Sequence, residues 1–229
     1  RGLTRAAIGA ARTVADPDLK LAWARAAATF AVEPLDIAEL LGLVDGSWSV
    51  AGLEPDQLLR WSLAIKAAAH GLPGALERIE DERRRDPSDR GQRAAIRAGV
   101  SRPDVDVKRE AWERINGEGY GSDYLTRAAI AGFQWPHQRE LTAPYRDRFY
   151  GRVAGVYSTR DHAYAESYLR WLVPDLWAEP DEAERIRALA AGLGSQHDLL
   201  QRHLVEVADD MDRDIRVRAF AAAEPVLVG

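Results

Sequence analysis

The chain has 229 residues, 46% of them hydrophobic, with 31 lysines and arginines against 36 aspartates and glutamates, a net charge of −5, and no cysteine. That length buries a sizeable core, and the missing thiols exclude disulfides, thiolate metal sites and cysteine nucleophiles. The acidic balance argues against a broad nucleic-acid surface, which needs cations to release phosphate counterions.

The first segment, 3–13, reads as an amphipathic helix with Leu3, Ala7 and Ala10 on one side, broken by Asp16-Pro17. Residues 18–30 place Leu19, Ala22, Trp23, Ala26 and Phe30 on an apolar stripe, and Glu33-Pro34 opens a shorter helix carrying Leu35, Ile37, Leu40 and Leu41. Segment 44–52 is a loop. The stretch 53–71 sets the plan for the rest: Pro55 in a first turn, Leu58, Trp61, Ile65 and Ala68 on one face, Gly71 as the stop. Asp56 and Arg60, one turn apart, are expected to pair. Residues 73–85 turn Leu76 and Ile79 inward and Glu82-Arg83-Arg84-Arg85 outward. Asp86-Pro87-Ser88 and Ser101-Arg102-Pro103 start the next two helices. The glycine-rich loop 117–121 then leads to Ser122, an N-cap whose hydroxyl accepts a free backbone N–H. Further helices are expected over 136–150, 158–172, 180–193, 197–207 and 210–222, and the tail 224–229 has no helical period.

Strand-type alternation is nearly absent, and about a dozen helices are far above the usual helical share. The expected fold is all-α, one domain over 1–229, with antiparallel helix pairs stacked as an α-solenoid of HEAT-like, superhelical-bowl shape. No apolar run approaches the roughly 20 residues that span a bilayer, and the N-terminus lacks the apolar centre of a secretory signal. A cytoplasmic protein with no membrane partner is expected. The chain opens on Arg1 rather than Met, which suggests a piece of a longer polypeptide.

The chemistry-bearing residues form no reactive constellation. The five histidines include no HExxH pair; His162 with Glu166 and His203 with Glu206 supply two ligands at most. The acidic run 209–214 lacks the glycine and distal glutamate of a calcium loop. No GxSxG elbow occurs, and the GEGYG piece lacks the Lys-Ser/Thr of a P-loop. One region is richer: tyrosines and arginines crowd 120–168. Tyr and Arg favour binding surfaces, with planar donors and cation–π contacts. Tyr120, Tyr124, Arg152, Tyr157, Arg160 and Tyr164 are the candidate substrate-facing residues. The alternative reading makes half of these tyrosines core residues with one wet edge.

Four stretches, 18–32 (DLKLAWARAAATFAV), 40–63 (LLGLVDGSWSVAGLEPDQLLRWSL), 85–112 and 128–150, resemble in order the C-terminal helical domain of the zinc aminopeptidase N family, actinobacterial form. This domain is also called endoplasmic-reticulum-aminopeptidase-like. The resemblance implies an α-solenoid bowl over the catalytic domain of a monomeric enzyme, closing the chamber where peptides lose their N-terminal residue. It implies two partners, the catalytic domain of the same polypeptide and peptide substrates. It also implies a zinc cofactor in that missing domain and none in this chain. The family's HExxH, distal Glu, GxMEN and oxyanion-stabilising Tyr match no position here, so no catalytic or metal residue carries over. A free-standing α-solenoid that binds proteins or peptides is the alternative.

Overall fold

A computed structural model describes residues 2–223; the sequence reading of the tail 224–229 falls outside them. The described residues hold helices and no strand. No helix among them is long and apolar enough to cross a membrane. The chain divides into two compact units, Arg1–Trp135 and Pro136–Gly229.

Unit 1 contains α1 (Gly2–Thr13), α2 (Pro17–Phe30), α3 (Pro34–Asp45), α4 (Gln57–Ala69), α5 (Ala75–Arg85), α6 (Asp89–Ser101), α7 (Val105–Ile115) and α8 (Asp123–Phe133). Each start has a local cause. Asp16 accepts N–H bonds from Asp18 and Leu19 (2.8 and 3.2 Å), with Pro17 in the first turn. Ser88, Asp104 and Ser122 cap α6, α7 and α8 in the same way. Beyond the sequential neighbours, α2 packs on α4, α4 on α6 and α6 on α8, so the even-numbered helices form one row. Helix α4 sits at its middle, touching α2, α3, α5 and α6.

Several expected faces are rotated. The expected α2 stripe, Leu19, Trp23 and Phe30, is exposed; Lys20, Ala24, Ala27 and Ala28 are buried instead. Alanine on the inner face lets α1 and α2 approach closely, which bulkier side chains prevent. In α1 the buried residues are Thr4, Ala7, Ile8 and Ala11, with Leu3 outside. Leu35, Leu58 and Leu76 are likewise exposed. Helix α4 starts at Gln57, so Pro55 lies before it. Asp56 caps it by accepting from the Leu59 N–H at 3.0 Å and pairs with Arg25, so the expected pair with Arg60 does not form. Arg60 instead donates from Nε to Glu82 at 2.9 and 3.1 Å. Glu82, expected outward, is buried, taking a further bond from Arg85 at 2.7 Å and joining α4 to α5.

The protein has three lysines, and each ammonium donates to backbone carbonyls. Lys20 reaches Ala51 O at 2.7 Å; Lys66 reaches Thr29 O and Ala31 O at 2.9 and 2.6 Å. Fully buried Lys108 donates to Val100 O and Phe133 O, both at 2.8 Å. The last carbonyls of a helix have no intrahelical partner and carry negative partial charge. Lys66 therefore fixes the end of α2 to α4, and Lys108 ties the ends of α6 and α8 together.

In unit 2 the helix expected over 136–150 is broken into 3-10 turns at Pro136–Gln138 and Ala143–Tyr145 and two short helices, α9 (Arg139–Thr142) and α10 (Arg146–Tyr150). Pro144 lacks the N–H that a continuous helix requires. The expected 158–172 helix is two: α11 (Val153–Thr159) and α12 (His162–Leu172), the latter capped by Asp161 on the Tyr164 N–H at 3.1 Å. After α13 (Pro180–Gly192), a single helix α14 (Asp198–Ala223) replaces the two expected. The acidic run at its centre does not interrupt it, because Arg187 on the adjoining α13 pairs with Asp209 and Asp212 (3.0 and 2.6 Å) and Arg213 with Asp210 (2.5 Å).

Candidate functional site

Unit 1 carries a groove of about 530 Å³ on the row of even helices. Arg90, Arg93 and Arg97 recur at spacings of three and four along α6, so they lie on one face of it. Lys66 of α4 adds a fourth cation, and Leu58 and Trp135 supply apolar walls. On α8 the lining residues are Ala128 and Ala131, whose small side chains leave the depth of the groove open. Arg93 also borders an adjoining cleft of about 370 Å³ lined by Asp89, Ser122 and Tyr124.

The walls are held rigidly. Gly132 brings α8 onto α6 so closely that an added Cβ would meet Arg97 O at 2.5 Å. The Trp135 indole N–H donates to Gly132 O at 3.2 Å. The Trp61 indole N–H donates to Asp86 at 3.0 Å. Asp86 also accepts the Ser88 hydroxyl at 2.5 Å; that bond, followed by the one from Trp61, holds its carboxyl below the usual range. Burial pulls the Arg97 guanidinium and the Lys66 ammonium below their ordinary values.

The six residues singled out in the sequence fall into different places. Tyr120 sits in the loop before α8, where Gly119 adopts φ +76° and a Cβ there would stand 2.6 Å from Thr126 Oγ1. Its backbone N–H donates to that oxygen at 2.9 Å, its ring lies under Arg114 at 3.9 Å, and burial raises its hydroxyl above the ordinary range. Tyr124 is 67% exposed and borders the smaller cleft beside Arg93. The other four belong to unit 2. Arg152 and Arg160 are exposed. Tyr157 is half-buried, its hydroxyl 3.0 Å from His203 Nδ1, and burial pushes it up to about 12. Tyr164 is 1% exposed: it is a core residue with Arg160 stacked 4.9 Å from its ring.

Most of the Tyr/Arg density is consumed inside unit 2. Buried Glu182 accepts from the Tyr150 hydroxyl and from Arg146. Arg185 covers the Tyr150 ring at 4.0 Å, and Tyr168 stacks on Phe149. The signal that goes unused in the sequence reading is the Arg90–Arg93–Arg97 spacing, a cationic helix face in an acidic chain. His162 pairs with Glu166 at 3.1 Å. Among the described residues no three histidine or carboxylate side chains converge as a metal site.

The geometry thus defines an all-helical domain whose most distinctive feature is a cationic groove. Residues 4–213 match the model of the ERAP1-like C-terminal domain family. Over 209 residues the chain is 34% identical to the aminopeptidase N of Streptomyces lividans, an alignment that takes in 91% of this chain. The chain belongs to the ERAP1-like C-terminal domain family, the C-terminal domain of the aminopeptidase N family. It spans about a quarter (24%) of the length of that curated relative.

Proposed function

We propose that this chain is the C-terminal domain of an aminopeptidase N-like zinc exopeptidase, walling the chamber in which the N-terminal residue of a peptide is removed and limiting which peptides enter. The observation that carries the reading is the family match across residues 4–213 beside a relative four times as long. The α2–α4–α6–α8 row supports an α-solenoid arrangement, since stacked helix pairs place every second helix in one layer. On this reading the groove is the chain's peptide-facing surface, and zinc chemistry resides in the rest of the polypeptide. The purified chain should not hydrolyse aminoacyl-anilide substrates, and the gene upstream of Arg1 should encode HExxH. Chelator-sensitive hydrolysis by the chain alone would overturn the proposal. A start codon just upstream of Arg1 would favour a free-standing helical binding module instead.

A further inference from the structure

We infer that the α4–α6–α8 groove takes a peptide segment bearing carboxylate side chains, an inference that rests on the peptide-facing reading and adds a charge preference to it. The chain as a whole is acidic, yet the residues described as lining this groove include Lys66, Arg90, Arg93 and Arg97 and no carboxylate. Two acids, Asp86 and Asp89, stand near these cations without lining the groove. Asp86 interacts with Arg90 and offsets part of its charge, since the Ser88 hydroxyl and Trp61 indole it accepts from are neutral, but it does not line the groove. Asp89, in the adjoining cleft, meets Arg93 through its backbone carbonyl, which accepts from Arg93 Nε at 3.2 Å. Lys66 bonds to neutral carbonyls, which leave its charge in place. Leu58 and Trp135 offer apolar contact to the methylene groups and backbone of an extended segment, and guanidiniums spaced along one helix face match acidic side chains spaced along it. The volume falls in the range of formed ligand clefts.

The test titrates the 229-residue chain with three peptides of equal length, identical except for glutamate, glutamine or lysine at alternate positions, each with a free and an amidated C-terminus, followed by calorimetry. The glutamate peptide should bind about tenfold tighter than the glutamine peptide at low salt, as two solvent-exposed ion pairs would give. Salt near 1 M should erase the preference. The double variant Arg90→Gln, Arg93→Gln and the single variant Leu58→Glu should each remove it. Leu58 and Arg90 are exposed, and the part-exposed Arg93 bonds a carbonyl of its own helix, so both variants should keep the wild-type helical circular dichroism. Equal binding of the glutamate and glutamine peptides overturns the charge preference and leaves the peptide-facing reading standing. Binding that disappears on C-terminal amidation while the glutamates remain also overturns it, because the recognised carboxylate is then the chain end. Failure of all three peptides to bind overturns both readings.

Discussion

Lys108 shows what a single buried cation does for this domain. Its ammonium is fully enclosed, and burial pulls it down to about 7. The unfolded lysine titrates near 10.5. Between those values the unfolded chain holds a proton that the native chain has released, so stability rises with pH from about 7 to about 10 and falls on acidification through that window. Lys108→Met should abolish this rise. It should also cost about 1–3 kcal/mol at pH 9, where the neutral amine still donates to Val100 O and Phe133 O and the variant leaves both unpaired. Urea midpoints at pH 6 and pH 9 read both effects. Asp175 in unit 2 is shifted the other way: burial, with a smaller contribution from Asp214, raises its carboxyl to about 6. Its ionisation is penalised in the native state, so its stabilising contribution is complete below about pH 4 and lost as pH rises through about 6. Thermal midpoints of Asp175→Asn against the parent, scanned from pH 4 to 7, should show a parent-only decline. Neither residue advertises this in the sequence. A lysine among Val107, Arg109 and Glu110 reads as surface; its burial follows from two helix ends, Val100 and Phe133, that converge on it only in three dimensions.

At the scale of elements, the sequence carries helix starts well and helix faces less well. Ser88 and Ser122 announce their helices because a cap is a local event, decided within three residues, whereas Ser101, expected to start α7, ends α6 and Asp104 caps α7 instead. The face of α2 is decided by its neighbours. Its bulky stripe and its alanine stripe are both apolar, and only close packing against α1 selects the alanines. The expected break in α14 fails for the same kind of reason, since the arginine that steadies its acidic centre comes from α13. The α6–α8 contact gives the sharpest prediction at this level. Gly132→Ala should destabilise the chain by about 1–3 kcal/mol, because backbone rather than a flexible side chain blocks the new methyl. Crystallography of the variant should show α8 displaced from α6 and the cationic groove altered in width.

For the molecule as a whole, family and helical content were legible in the sequence, since ordered segments and Ala-rich periodicity extend along the chain. The groove was not, because its cations are contributed by α4 and α6 and its apolar walls by α4 and by Trp135, just after α8. The Tyr/Arg crowding drew attention elsewhere, to side chains that unit 2 uses for its own cohesion, such as Tyr150 on Glu182. The carbonyl-bound lysines have a practical consequence for measuring the two units apart. All three lie in the N-terminal unit, and the residues from 136 onward contain none. A lysine-specific endoprotease must wait for those side chains to leave the backbone carbonyls they hold before it can seat one in its own specificity pocket. Its cutting rate on the intact chain therefore clocks the opening of residues 1–135 alone, whereas trypsin, offered arginines throughout, reports on both units at once.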